Sequence, residues 1–230
     1  MMVDIFSHFD DEQFSLVSSY LFLWLISFYF LLILNLCYWV SKSNFNLFLV
    51  GLSSIIFSQI SYSASSLMKG FNLMLVSLFL FLFFLNLVGL IPYTFSVSSH
   101  LVLTLSLSIV IWSSLVLSSF FYNIKITLAH LLPIGTPASL SVFMILVESV
   151  SIFIRPLTLA LRLVANMGTG HIILGLVGTF LSSFCFMFNY YSFIILVMVQ
   201  IGYMLVEFGI SFIQAYIFML LLMLYAEEHS

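Results

Sequence analysis

Residues 159–175 read LALRLVANMGTGHIILG. Arg162 and His171 stand in this run amid side chains otherwise suited to lipid, and Glu148 and Arg155 lie just upstream in the same segment, 138–182. A charged side chain at the centre of a membrane helix costs about 2.5–3.5 kcal/mol even on forgiving insertion scales. Several in one segment imply a function that requires them.

The surroundings leave no doubt about the solvent. The chain has 230 residues, of which 63% are apolar, 18% aromatic and 6% charged, with a mean hydropathy of +1.28. Soluble domains carry about 25% charged residues, so this is a polytopic membrane protein built of helices. The net charge of −3 comes from few groups, which excludes a basic patch for nucleic acid and leaves no material for a large extramembrane domain. Cys37 and Cys185 both sit in apolar runs, a pattern of neither a disulfide framework nor a metal site. The N-terminal run MMVDIFSHFDDEQ is acidic and lacks arginine, unlike a signal or transit peptide. Together with heavy use of Phe, Leu, Ser and Met, this leads us to expect synthesis and insertion inside an organelle with an AT-rich genome.

Working outward, hydropathy and breakers divide the chain into a single membrane domain over 1–230. A first span is expected at 17–40, since a bilayer needs roughly 20 apolar residues. Residues 45–66 begin apolar but run into the Ser-rich SYSASS and are expected to form a short interfacial helix. Further spans are expected at 71–91, stopped by Pro92, and at 99–121. The connector that follows holds Lys125, His130, Pro133, Gly135 and Pro137, and breakers so close together predict an ordered loop. Segments 138–182 and 187–226 are each far longer than one crossing. A continuous helix of about 45 residues would be about 65 Å long against a hydrocarbon thickness of about 30 Å. It must lie steeply tilted or be broken near Pro156 or Gly168–Gly170. The expected architecture is therefore all-α, with about five membrane-embedded helices plus a short interfacial one, the last two forming a long tilted hairpin. Lysines concentrate in short inner loops; if 45–60 does not cross, Lys42, Lys69 and Lys125 share the inner side and the acidic N-terminus lies outside.

Glu148, Arg155 and Arg162 are seven residues apart. At 3.6 residues per turn each step of seven rotates about −20° and rises about 10 Å, so the three share a face, which Asn166 and Thr169 extend. Ala165 leaves room on that face for another helix to approach closely. His171 points roughly the opposite way, with Gly175 and Gly178 as a second small-residue stripe. In the last segment Glu207 and Gln214 are again seven apart and share a face with Tyr203 and Ser211. These groups could be structural glue, Glu148 paired with Arg155 and His171 with Glu207. Arg162 has no acid in its segment well placed to neutralise it, so its natural partner is a carboxylate on another chain. Arginine stays charged whatever proton traffic surrounds it, whereas histidine and a desolvated glutamate bind and release protons. A permanent cation between titratable groups on separate faces has the form of a proton route with a barrier in it.

The runs HLLPIGTP (130–137), ESVSIFIRPLTLALRLVANMGTGH (148–171) and EFGISFIQAYIFMLLLMLY (207–225) resemble subunit a of the F-type ATP synthase, nearest to its mitochondrially encoded branch. The motifs RLxANxxxGH and IQAYxF stand in that family's order and spacing; residues 1–70 match only in topology and in the short second helix. The resemblance implies a proton-translocating stator subunit whose two long helices curve against a rotating ring of c subunits. It places Arg162 on the family's essential arginine, which faces the ring carboxylate and blocks proton leak between two offset half-channels. Asn166, His171, Glu207 and Gln214 fall on positions of the half-channel open to the intermembrane space, and Glu148 on the acid of the half-channel leading to the matrix. Arg155 falls on a position that is Arg or Gln in the family. Implied partners are the c ring, the peripheral stalk, other membrane subunits and the bilayer, in the mitochondrial inner membrane with the C-terminus on the matrix side. No cofactor and no nucleotide site are implied.

Two other classes compete. A bis-histidine haem subunit needs paired histidines at membrane depth, but only His171 lies well inside an apolar segment, while His8, His100, His130 and His229 are at ends or in loops. An antiporter-like subunit of a respiratory complex would favour mid-span lysines and broken helices, and this chain has no mid-span lysine. No Ser/His or paired-Asp arrangement for intramembrane proteolysis is present.

Overall fold

A computed structural model describes residues 44–63, 68, 70–91, 96–130, 132, 140–186 and 190–229. The span expected at 17–40 lies outside these residues, as do Lys42, Lys69 and the breakers Pro92, Pro133, Gly135 and Pro137. Among the described residues every regular element is helical: α1 (Asn44–Ser61), α2 (Phe71–Gly89), a single 3-10 turn at Val97–Ser99, α3 (Leu101–Tyr122), α4 (Ile124–His130), α5 (Ser141–Phe186) and α6 (Tyr190–His229). Four of them, α2, α3, α5 and α6, are long and apolar enough to cross a membrane. One expectation needs correction: the connector after α3 is not loop from its start, because Ile124–His130 forms a helix. The breakers all lie after His130 in sequence, so nothing prevents IKITLAH from closing two turns first.

The long segment resolves as one uninterrupted helix of 46 residues with Pro156 inside it. Proline removes one backbone donor and crowds the preceding turn, but within a membrane bundle neighbouring helices make this tolerable, and Pro156 is buried against them. At 1.5 Å per residue α5 is about 69 Å long, more than twice a hydrocarbon core. Such a helix cannot stand upright across a bilayer.

Packing follows the small and apolar stripe of each helix. On α5 the buried positions are Pro156, Leu159, Ala160, Leu163, Met167 and Gly170, a spacing of three and four. On α6 they are Glu207, Ser211, Gln214, Ala215, Phe218, Met219, Leu222 and Ala226. α5 and α6 pack against each other; α2 lies along α6, α3 along α5, and α1 along α2. Phe79 and Phe83 of α2 stack at 6.0 Å, and Phe212 of α6 meets Phe83 edge-on at 5.4 Å. Lipid is as apolar as leucine, so close packing rather than hydrophobic expulsion holds these helices together.

Hydroxyls within the bundle are disposed of locally. Ser106, Ser108, Ser113, Ser114, Ser118 and Ser119 of α3 each donate to the carbonyl three residues earlier, the usual way a serine is tolerated in a membrane helix. The serine content of α3 is therefore no polar path. Gly70, at the start of α2, has φ +83°, the left-handed region where a side chain is strained.

Leu82 of α2 is fully buried within the apolar cluster that includes Phe79, Leu163 and Phe218. Leu82→Ala is expected to cost about 2–5 kcal/mol through the cavity it leaves. The check is the thermal unfolding midpoint of the purified complex; an unchanged midpoint would show that α2 does not pack as described.

Candidate functional site

Polar side chains gather where α2, α5 and α6 meet. Asn166 of α5 donates through Nδ2 to Oε1 of Gln214 on α6 at 2.6 Å. Glu207, Ser211 and Gln214 are 7%, 2% and 4% exposed, so the acid and amide of α6 point into the bundle and away from lipid. Asn86 of α2 is 0% exposed and reaches the carbonyl of Ser211 through Nδ2 at 3.5 Å. Tyr203, one turn before Glu207, shares its face of α6 and borders the same space.

These groups border a cleft of about 70 Å³, lined by Asn86, Asn166, Thr169, Tyr203, Glu207, Ser211 and Gln214 among others. A buried water needs roughly 10–15 Å³ of probe-occupied volume and two to four polar partners, so the cleft suits a short water file. Oε2 of Glu207 and Oδ1 of Asn86 are buried without a protein hydrogen bond. A buried acceptor without a partner is costly, and both atoms belong to residues of the cleft lining.

Glycine sets the approach of Glu207. A Cβ built on Gly170 would collide with the Glu207 carboxyl, so the acid lies directly on the α5 backbone. His171, the next residue, takes another position: its Nε2 is buried and lies 4.0 Å from where a Cβ on Gly89 would stand. That same Cβ would be 3.3 Å from Cβ of Ser96, so the end of α2, the 3-10 turn and His171 converge. The Glu207 carboxyl, from α6, lies on Gly170 of α5, whereas His171, the next residue of α5, leaves the helix about 100° further round with its Nε2 toward Gly89 of α2. Among the described residues nothing lies within 4 Å of where a Cβ on Gly178 would stand, whereas Gly170 and Gly89 are closely approached.

Arg162 stands apart. It is exposed on the face of α5 turned away from Leu163 and the core, with Leu161 and Ala165 exposed beside it. Among the described residues no carboxylate pairs with it. Seven residues upstream, Arg155 places Nη2 3.5 Å from Oε1 of Glu148, the pairing anticipated from their spacing. Its guanidinium carbon also lies 5.1 Å from the ring centroid of Tyr225 on α6.

Asn86 and Tyr225 escaped the sequence reading. Asn86 was visible as the lone polar residue in FLFLFFLNLVG; Tyr225 had no signal, because a tyrosine near a helix end is ordinary in a membrane protein. Tyr203 and Ser211, placed on the face of Glu207 by spacing, do line the cleft. Among the described residues no cluster of His, Cys, Asp and Glu could hold a metal ion.

Comparison with known proteins gives a consistent result. The family model described as "ATP synthase A chain" matches residues 18–227. The chain is 38% identical to ATP synthase subunit a of Artemia franciscana over 99% of this chain and 100% of that one. It is 36% identical to ATP synthase subunit a of Drosophila melanogaster over 99% of both chains. With ATP synthase F(0) complex subunit a of Loxodonta africana it shares 42% identity over 69% of this chain and 71% of the other. The family match takes in Arg162 and the whole polar cleft on α5 and α6, and the chain belongs to the ATP synthase A chain family.

Proposed function

We propose that the chain is the proton-translocating stator subunit of an ATP synthase membrane sector, with Arg162 as the barrier between two offset proton half-channels. The observation that carries this reading is the separation of Arg162 from the buried polar groups. Its charge is permanent, it is exposed on the outer face of α5, and no described residue neutralises it. Left to lipid it would be prohibitive. A carboxylate carried past on a rotating c ring answers the charge and would be encouraged by it to give up its proton.

The polar cleft is the outer half-channel in this proposal. Glu207, on the Gly170 backbone, is the group that binds and releases protons along a water file whose walls are Asn86, Asn166, Ser211 and Gln214. His171 stands at the far side of Gly170, toward the 3-10 turn, and serves the mouth of that route. What supports a dead end rather than a through-pore is the change of character along α6. The buried stripe is polar as far as Gln214 and then becomes Ala215, Phe218, Met219 and Leu222, each at most 1% exposed. Water cannot follow this seam onward, so a proton must leave it sideways, toward Arg162 and the rotor. Glu148, some 20 Å further along α5 on the Arg162 face by helical rise, is the acid of the inner half-channel.

The chain has no nucleotide site in this scheme and acts as a non-catalytic subunit. Its place would be the mitochondrial inner membrane, N-terminus toward the intermembrane space and C-terminus toward the matrix, with the c ring, the peripheral stalk and other membrane subunits as partners. The alternatives based on haem or antiporter-like function gain nothing from the structure: His171 faces the end of α2 and the 3-10 turn, and the cation inside a membrane-crossing helix that no described carboxylate pairs is Arg162, not a lysine.

Arg162→Ala is expected to abolish proton-driven ATP synthesis while the complex still assembles; synthesis at the normal rate would sink the reading. Glu207→Gln should slow proton flux by about tenfold or more, with the defect in access from the outer side. Unchanged flux in that variant would return Glu207 to a structural role. Gly170→Ala should slow flux in the same manner, because the added methyl displaces the Glu207 carboxyl. Flux measured in reconstituted vesicles beside a co-purification assay for assembly distinguishes lost conduction from lost protein.

A further inference from the structure

One polar residue of the cleft lining has no part in the half-channel scheme. Of the side chains that border the cleft, Thr169 and Ile210 are exposed and the others are buried or half-buried. The cleft therefore opens between α5 and α6 at these two residues, and Thr169 is the polar one at the opening. It is also seven residues from Arg162, a step that rotates about −20° and rises about 10 Å. Arg162, Ala165 and Thr169 are all exposed, so Thr169 belongs both to the cleft and to the outer face on which Arg162 stands.

The hydroxyl of Thr169 is held in one sense. Oγ1 donates to the carbonyl of Ala165 at 2.7 Å, a good length for an O–H···O bond, and lies 3.4 Å from the carbonyl of Asn166. A threonine hydroxyl has one hydrogen to give and two lone pairs. With the hydrogen committed to the backbone, what Oγ1 offers its surroundings is an acceptor. Oε2 of Glu207 and Oδ1 of Asn86, on residues of the same lining, are buried acceptors without a protein hydrogen bond. The cleft is thus rich in acceptors, and water is the donor that suits them.

Resting on the stator reading above, we propose that Thr169 is a positioning residue at the exit of the outer half-channel, holding the last water of the file where the cleft opens onto the rotor face. That water donates one hydrogen to Oγ1, accepts the incoming proton from the file on a lone pair and passes a proton from its other O–H to the rotor carboxylate. Charge balances at each step: the water becomes hydronium on receipt and returns to water as the carboxylate becomes a neutral acid. Thr169 itself neither gains nor loses a proton. Its distance from Arg162 gives the exit its place. Because a helix as long as α5 must lie tilted, part of the roughly 10 Å between the two residues is travel within the membrane plane, the direction in which a ring carries its carboxylates. A rotor carboxylate is ionised beside Arg162 and protonated beside Thr169, two turns apart on one face.

The test uses the intact complex reconstituted in vesicles, reading proton-driven ATP synthesis with co-purification of the rotor ring as the assembly control. Thr169→Val has nearly the same shape but no acceptor, and it should lower synthesis about three- to tenfold without loss of assembly. Thr169→Ser keeps a hydroxyl that bonds back to the helix carbonyl and should run within about twofold of the parent complex. With the last transfer slowed, heavy water should retard Thr169→Val by a larger factor than it retards the parent, which a packing defect alone would not produce. Thr169→Val at the parent rate, Thr169→Ser as slow as Thr169→Val, or a slowed Thr169→Val whose isotope effect is no larger than the parent's would each overturn the proposal. Should Thr169→Val fail to assemble, Thr169→Ala takes its place, with the same loss and the same isotope effect expected. Arg162→Ala in the same preparation separates the two levels. If it is active the stator reading fails; if it is inactive while the Thr169 series behaves otherwise than stated, the exit role alone fails.

Discussion

The hydrocarbon interior supplies no hydrogen bonds, so every polar side chain placed there must be answered from within the protein. The 2.6 Å bond between Asn166 and Gln214 is that constraint in its simplest form. It joins the two long helices at mid-length, and its geometry requires their backbones to be close. Gly170, one turn further along α5, makes the same demand by leaving space for the Glu207 carboxyl. With α5 and α6 brought together in this way, α2 completes the enclosure with Asn86. The polar cleft is then a consequence of helix packing, enclosed by three helices and set off from lipid.

The same packing explains why Arg162 is different. The small and apolar residues that bind α5 to its neighbours, Leu159, Leu163, Met167 and Gly170, occupy one stripe. Arg162 cannot share it, since 100° per residue turns it outward from Leu163. On the proposed reading this cation, which no described carboxylate pairs, finds its counter-charge on another molecule. Asn166 sits one turn from Arg162 and bonds to Gln214, so the cleft and the exposed cation are neighbours without being mixed. In the proposed scheme a proton taken from the cleft leaves toward the face where Arg162 stands, because Phe218, Met219 and Leu222 close the seam beyond Gln214, and the coupling between conduction and movement of a partner would follow from this blockage.

The course of the helices was legible in the sequence because its causes are local. Apolar length marked α2, α3, α5 and α6, and the seven-residue spacing of Glu148, Arg155 and Arg162 gave their common face and the Glu148–Arg155 contact. The face shared by Tyr203, Glu207, Ser211 and Gln214 was legible for the same reason. Pairings between helices were less so. His171 and Glu207 are complementary in charge, yet Glu207 of α6 lies against Gly170 of α5 while Nε2 of His171 lies toward Gly89 at the end of α2. Gly170 and Gly178 look alike in sequence, and only the crossing of α5 and α6 makes the first a close contact. The seat of Tyr225 over Arg155 depends on the register of two helices of 46 and 40 residues, which no local pattern reports. Helix α4 was missed because breakers after it were read as acting throughout the connector.

The central claim is that Arg162 faces a moving carboxylate and not a fixed partner. The most direct measurement is the structure of the intact membrane sector, with the distance from the Arg162 guanidinium to the nearest carboxylate of any chain. The account predicts that this carboxylate belongs to the rotor ring, at about 3–5 Å directly or across one water, with no acid of a stationary subunit as close. A stationary acid paired with Arg162, or an Arg162 side chain turned to lipid headgroups, would contradict it.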